Sequence, residues 1–109
     1  MIAPISTADE FRMLHSDGRR ITSGPIATRY APDPSLGHAA LAFAIRREVG
    51  SAVRRNRLRR RLREIFAALD RDPGLPPGRY LVMPRPEAAE LPFEELRGHV
   101  GRIAESVAG

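Results

Sequence analysis

The stretch Val49-Gly50-Ser51-Ala52-Val53-Arg54-Arg55-Asn56-Arg57-Leu58-Arg59-Arg60-Arg61-Leu62-Arg63-Glu64 decides how this chain is read. Just before it, Ala39 to Arg46 alternates. Leu41, Phe43 and Ile45 fall on one face, Ala40, Ala42 and Ala44 on the other. Period two over that length predicts a strand. Gly50 breaks the strand and opens a turn. From Ala52 to about Asp70 the period lengthens, with Leu58, Leu62, Ile65, Phe66 and Leu69 forming the narrow apolar stripe of a helix. At roughly 100° per residue, Asn56, Arg60 and Arg63 lie opposite that stripe, flanked by Arg57 and Arg59. The helix therefore buries one side and presents arginine and asparagine on the other.

The charge of the chain is concentrated in the same place. Arg46 to Arg63 holds nine of the eighteen arginines and a single acid, Glu48, for a local charge of +8. The remaining nine arginines face twelve acids, so the net +5 is one basic patch on a mildly acidic body. Seven of the ten residues from Arg54 to Arg63 are Arg, a density that repels itself unless an external anion neutralises it. Polyanions are the expected partners, because neutralised phosphates release their condensed counterions. Every basic residue is Arg and none is Lys. Guanidinium pairs bidentately with phosphate and stacks on bases, which ammonium does not.

Working outward, 109 residues make one domain, spanning 1–109, with one modest core. A hydrophobic content of 42% is too high for a disordered chain. No apolar run approaches the ~20 residues that span a bilayer. The start of the chain lacks the basic and apolar regions of a secretion signal, and cysteine is absent, so the cytoplasm is the expected compartment. Ser6 and Thr7 are both candidate helix caps, each with an acid three residues on, and the helix they open should end at Asp17-Gly18. Strands are expected near Arg20–Ser23 and Ile26–Ala31. Tyr80 to Met83, between Gly78 and Pro84, predicts another. Pro92 opens a last helix with the stripe Phe93, Leu96, Val100, Ile103 and Val107. The predicted order is α-β-β-β-α-β-α, an α/β (α+β) sandwich of helices packed on a small sheet.

Side chains equipped for chemistry are scarce. His15, His38 and His99 are far apart and share no ligand spacing, so no metal site is expected. No glycine-rich phosphate loop or nucleophile elbow is present, and the acids fall on helix faces and loops. No catalytic residue and no organic cofactor are expected in the chain.

The run from Val49 through Arg55-Asn56-Arg57 to Arg63-Glu64 resembles the signature of the bacterial ribonuclease P protein component, whose Arg-Asn-Arg helix follows a Gly-Asn-Ala-Val turn. Phe11 sits where that family has a Phe in its first helix, and Leu81-Val82-Met83-Pro84-Arg85 resembles its later strand ending in Arg. Length and element order agree. The resemblance implies the protein subunit of a ribozyme that removes the 5′ leader of precursor tRNA using Mg²⁺ held mainly by the RNA. It implies a monomer in a 1:1 complex with that RNA, which is bound through Arg55, Asn56, Arg57, Arg59, Arg60 and Arg63. It implies a leader cleft between the first helix and the sheet, lined by Phe11, Ile26, Arg29 and Tyr30. It also implies a left-handed β-α-β crossover, against a rule obeyed in about 98% of such connections.

The chain departs from the family pattern in places. His15 and Arg29 stand where aromatics are common, Ser51 replaces the turn Asn, Glu48 falls beside the basic run, and Met1 to Glu10 contains no Arg. Phe11, Tyr30 and Phe43 each fit a core role as well as a stacking one. The alternative reading from residues alone is a general RNA-binding or ribosomal-type protein without associated catalysis. A DNA-binding helix is a third, lacking a helix-turn-helix partner, zinc site or zipper.

Overall fold

The computed structural model describes residues 2–109. Eight elements follow one another: β1 (Ile2–Pro4), α1 (Ala8–Asp17), β2 (Arg19–Ser23), β3 (Ile26–Pro32), β4 (Ala39–Phe43), α2 (Ala52–Arg71), β5 (Gly78–Pro84) and α3 (Phe93–Ala108). The strands form one sheet in the order β1-β4-β5-β3-β2. The class is the expected one, a mixed α/β sandwich with three helices.

Strand β1 is the element that the sequence reading lacks. Three residues ending in proline carry no usable periodicity. They form a strand because β4 presents a free edge, and Ile2 to Pro4 pair with Ala39 to Leu41 in parallel. Proline is tolerated there because an edge strand needs few of its N–H groups for pairing. The strand predicted to run to Arg46 stops at Phe43, although Ala44 still donates its N–H to the Val82 carbonyl at 2.9 Å.

Alternation along the strands divides the core in two. Ile26, Tyr30, Leu41, Tyr80 and Val82 point to the face covered by α2 and α3, where they meet Leu58, Leu62, Ile65, Phe66, Leu96, Val100 and Ile103. Ala31, Ala40, Ala42 and Leu81 point to the other face, where Phe11 and Leu14 of α1 meet them. The first cluster holds the large side chains and dominates the burial. The second is made mostly of alanines, so α1 rests on a shallow floor.

Two parallel neighbours, β4 and β5, are joined through α2. The turn into α2 explains why this helix starts where it does. Gly50 has φ +140°, a region that L side chains avoid, and a Cβ there would lie 2.5 Å from Arg54 Cδ. Ser51 is the N-cap, its hydroxyl accepting from the Arg54 N–H at 3.2 Å. Serine caps about as well as asparagine, so the exchange at the turn preserves the helix start.

Helix α1 is capped by Thr7, with Glu10 closing the capping box. It is then pinned to the sheet. Arg79 on β5 is 9% exposed and donates from Nε to Glu10 Oε2 at 3.0 Å and from an Nη to Asp33 Oδ2 at 2.9 Å. Arg29 on β3 reaches the C-terminal end of the same helix, its guanidinium donating to the carbonyls of Leu14 at 2.7 Å and His15 at 3.1 Å.

Candidate RNA-binding surface

The face of α2 is built on the buried stripe Leu58, Leu62, Ile65 and Phe66, which fixes the rotation of the helix against the sheet. That rotation leaves Asn56, Arg57, Arg60 and Arg63 exposed and Arg55 and Arg59 half-buried. The six residues implied by the resemblance therefore lie on one helix, displayed over its solvent side.

Several of these side chains are ordered by the protein itself. Arg55 Nε donates to the Gly50 carbonyl at 3.2 Å. Arg59 donates to Asn56 Oδ1 at 2.8 Å. Asn56 is thus neither a helix cap nor a partner of Arg57. It lies five residues into α2 and orients Arg59. The Arg63 guanidinium carbon stands 5.9 Å from the centre of the Phe43 ring, a cation–π distance. Phe43 in turn meets Phe66 edge-on, so it joins the core and carries the arginine at once. Glu48, the one acid in the basic run, pairs with Arg46 at 3.9 Å on the open surface. Among the described residues Arg57 and Arg60 have no intrachain hydrogen bond or ion pair, which leaves both free for an external anion.

A hollow of about 780 Å³ opens beside this face. Phe11, Ile5, Ala42 and Phe43 form its apolar part, and Arg59 and Arg63 overlook it from α2. Phe11 is half-buried, packed on the alanine floor and also lining the hollow.

Two of the expected leader contacts need correction. Ile26 is fully buried and Tyr30 is 4% exposed, both on the sheet face turned to α2 and α3. Alternation along β3 places them opposite the α1 face, so neither lines a cleft beside α1. The Tyr30 hydroxyl donates to the Pro77 carbonyl at 3.0 Å, its ring stacks tilted at 4.7 Å from Tyr80, and burial raises its pKa. Arg29 is on the α1 face, but its hydrogen bonds cap α1. Period two along β3 already separated Ile26 and Tyr30 from Arg29. What the sequence lacked was the face on which α1 sits.

The sequence reading missed Arg54 and Arg61, which occupy the other flank of α2, and the Arg79, Glu10 and Asp33 triad. Arg79 lies 69 and 46 residues from its two partners, a separation that no local pattern reveals. Among the described residues no group of three or more His, Asp or Glu is placed to hold a metal ion. No helix among them is long and apolar enough to cross a membrane.

A basic helix seated on a small sheet, with arginines turned outward, defines a small α/β protein whose exposed charge suits a polyanion. The comparisons with known proteins narrow this class. The family model for ribonuclease P matches residues 3–108. The ribonuclease P protein component of Symbiobacterium thermophilum is 32% identical over 96 residues, covering 87% of this chain and 82% of that protein. That of Thermus brockianus is 36% identical over 77 residues, covering 71% of this chain, but the match spans only 43% of that longer protein. The fold matches that of the ribonuclease P protein from Thermotoga maritima with a TM-score of 0.80, at 23% identity over 97% of this chain and 98% of that one. The chain belongs to the bacterial ribonuclease P protein component family.

Proposed function

We propose that this chain is the protein subunit of a ribonuclease P ribonucleoprotein, bound 1:1 to a catalytic RNA in the cytoplasm. The observation that carries the reading is the arginine face of α2, which meets the RNA subunit through Arg55, Asn56, Arg57, Arg59, Arg60 and Arg63. Guanidinium groups fixed in advance lose little freedom on meeting phosphates, so the ordering seen in Arg55, Arg59 and Arg63 favours tight binding.

The hollow beside Phe11 receives the 5′ leader of precursor tRNA. Leaders differ between tRNAs, and stacking on an aromatic ring tolerates any base, contributing ~1–3 kcal/mol per base. Arg59 and Arg63 supply cations at the edge of the same hollow. Cleavage of the leader, which produces the mature 5′ end, belongs to the RNA in this reading. Mg²⁺ is held mainly by the RNA in this reading.

The test is cleavage of a precursor tRNA by a bacterial ribonuclease P RNA at low Mg²⁺. Adding the chain is expected to increase the cleavage rate severalfold or more. Binding of RNA without any increase would leave a general RNA-binding protein and overturn the proposal.

A further inference from the structure

Arg54 and Arg61 lie outside the face described above, and Arg57 borders both that face and their flank. Arg54, Arg57 and Arg61 stand at i, i+3 and i+7 along the flank turned toward the short helical turn at Pro86–Glu90. They border a separate hollow of about 230 Å³ together with Val53, Leu58 and Ala89.

Its walls are partly fixed. Arg54 Nε donates to the Val49 carbonyl at 2.9 Å, and Arg61 donates to the Leu91 carbonyl at 3.4 Å. Glu90 lies 3.6 Å from Arg54. Arg57, between them, has no hydrogen-bond or ion-pair partner among the described residues. The floor is apolar, and Val53 is 79% exposed, a large hydrophobic side chain left in water at the start of a charged helix.

Cations beside an exposed apolar surface match the two sides of an unpaired nucleotide, its phosphate and its base face. A duplex keeps its bases stacked and offers the phosphate alone. A membrane would need a broader apolar face than one valine provides.

We propose that this hollow is a second RNA contact that takes one unpaired nucleotide. The phosphate lies between Arg57 and Arg61, and the base lies against Val53 and Ala89. The inference rests on the ribonucleoprotein reading and extends it, because α2 is then gripped by RNA from two flanks. The nucleotide belongs either to the RNA subunit or to the precursor tRNA.

The chain contains no cysteine, so Val53→Cys carries a photoreactive group at one position only. The labelled protein is assembled with ribonuclease P RNA and precursor tRNA and irradiated. A crosslink to an unpaired nucleotide is expected, and the RNA that bears it identifies the source. Arg61→Gln keeps a polar side chain but removes the charge. It is expected to weaken binding of that same RNA roughly tenfold, the scale of one charge-assisted hydrogen bond, with an unchanged melting temperature. The proposal is overturned if no RNA, or only duplex, is crosslinked and Arg61→Gln binds both RNAs as the native chain does, while Arg60→Ala has lost affinity. If Arg60→Ala also binds normally, the ribonucleoprotein reading fails first and this inference falls with it.

Discussion

Asn56 shows how a neutral side chain serves a charged surface. Its Oδ1 accepts from Arg59 and fixes where that guanidinium points. Asn56→Ala is therefore expected to weaken RNA-subunit binding by about 0.5–1.5 kcal/mol, the range of a net hydrogen bond. In an Arg59→Ala background the same change should cost markedly less, because the group it orients is gone. A double-mutant cycle on RNA affinity measures this coupling, and strictly additive losses would remove the orienting role. Phe11 makes a different prediction. Its ring both packs on the alanine floor and lines the large hollow, so Phe11→Leu keeps most of the apolar volume and removes the stacking surface. Precursor tRNA should bind more weakly by up to ~1–3 kcal/mol, with mature tRNA and the RNA subunit little affected. Equal losses for leader-bearing and leaderless tRNA, in a folded protein, would assign the ring to packing alone. At this scale the sequence revealed which residues are basic and which face of α2 they share. It did not reveal that Arg59 leans on Asn56, or Arg63 on Phe43, because those choices depend on rotamers set by neighbours.

The elements differ in how they are held, and α1 depends most on charge. Its contact with the sheet is the alanine floor, the Arg79 clamp to Glu10 and Asp33, and the Arg29 hydrogen bonds to its C-terminal carbonyls. Burial opposes the Glu10 charge, but hydrogen bonds from Arg79, Ser6 and Thr7 outweigh it and hold the carboxyl below its ordinary 4.5. The Ser35 hydroxyl, then Arg79, lower Asp33 in the same way. A carboxyl depressed by folding contributes stability that is complete above its unfolded value and is lost as pH falls through the folded one. Thermal stability should accordingly fall as pH drops below about 4.5, the ordinary Glu10 value. Arg79→Met should lower the melting temperature at neutral pH and flatten that acid limb. An unchanged limb in the variant would show that the clamp is not what acid releases. Helices α1, α2 and α3 were legible because caps and apolar periods are local signals. Strand β1 was not, since three residues become a strand only by lying along the edge of β4. Ile26 and Tyr30 face α2 and α3 and not α1, which stays hidden in the sequence because a strand's pattern gives two faces without saying which helix covers each.

Across the whole molecule, the largest apolar cluster and the excess positive charge lie on opposite sides of α2. The apolar core lies between the sheet and α2 with α3, and the excess positive charge lies on the outer surface of α2. Burial of Leu58, Leu62, Ile65 and Phe66 holds in place a helix whose arginines repel one another. That arrangement is intelligible if the repulsion is relieved by bound RNA, and this is the central claim. The most direct test is the affinity for ribonuclease P RNA as a function of salt, for the native chain and for one carrying Arg59→Ala, Arg60→Ala and Arg63→Ala together. With ~4 arginines on phosphates, the native slope of log affinity against log salt should be about −3 to −4, and the triple variant should lose about 2 to 3 of it. A native slope near zero, or a triple variant with the native slope, would contradict the assignment of this surface to RNA.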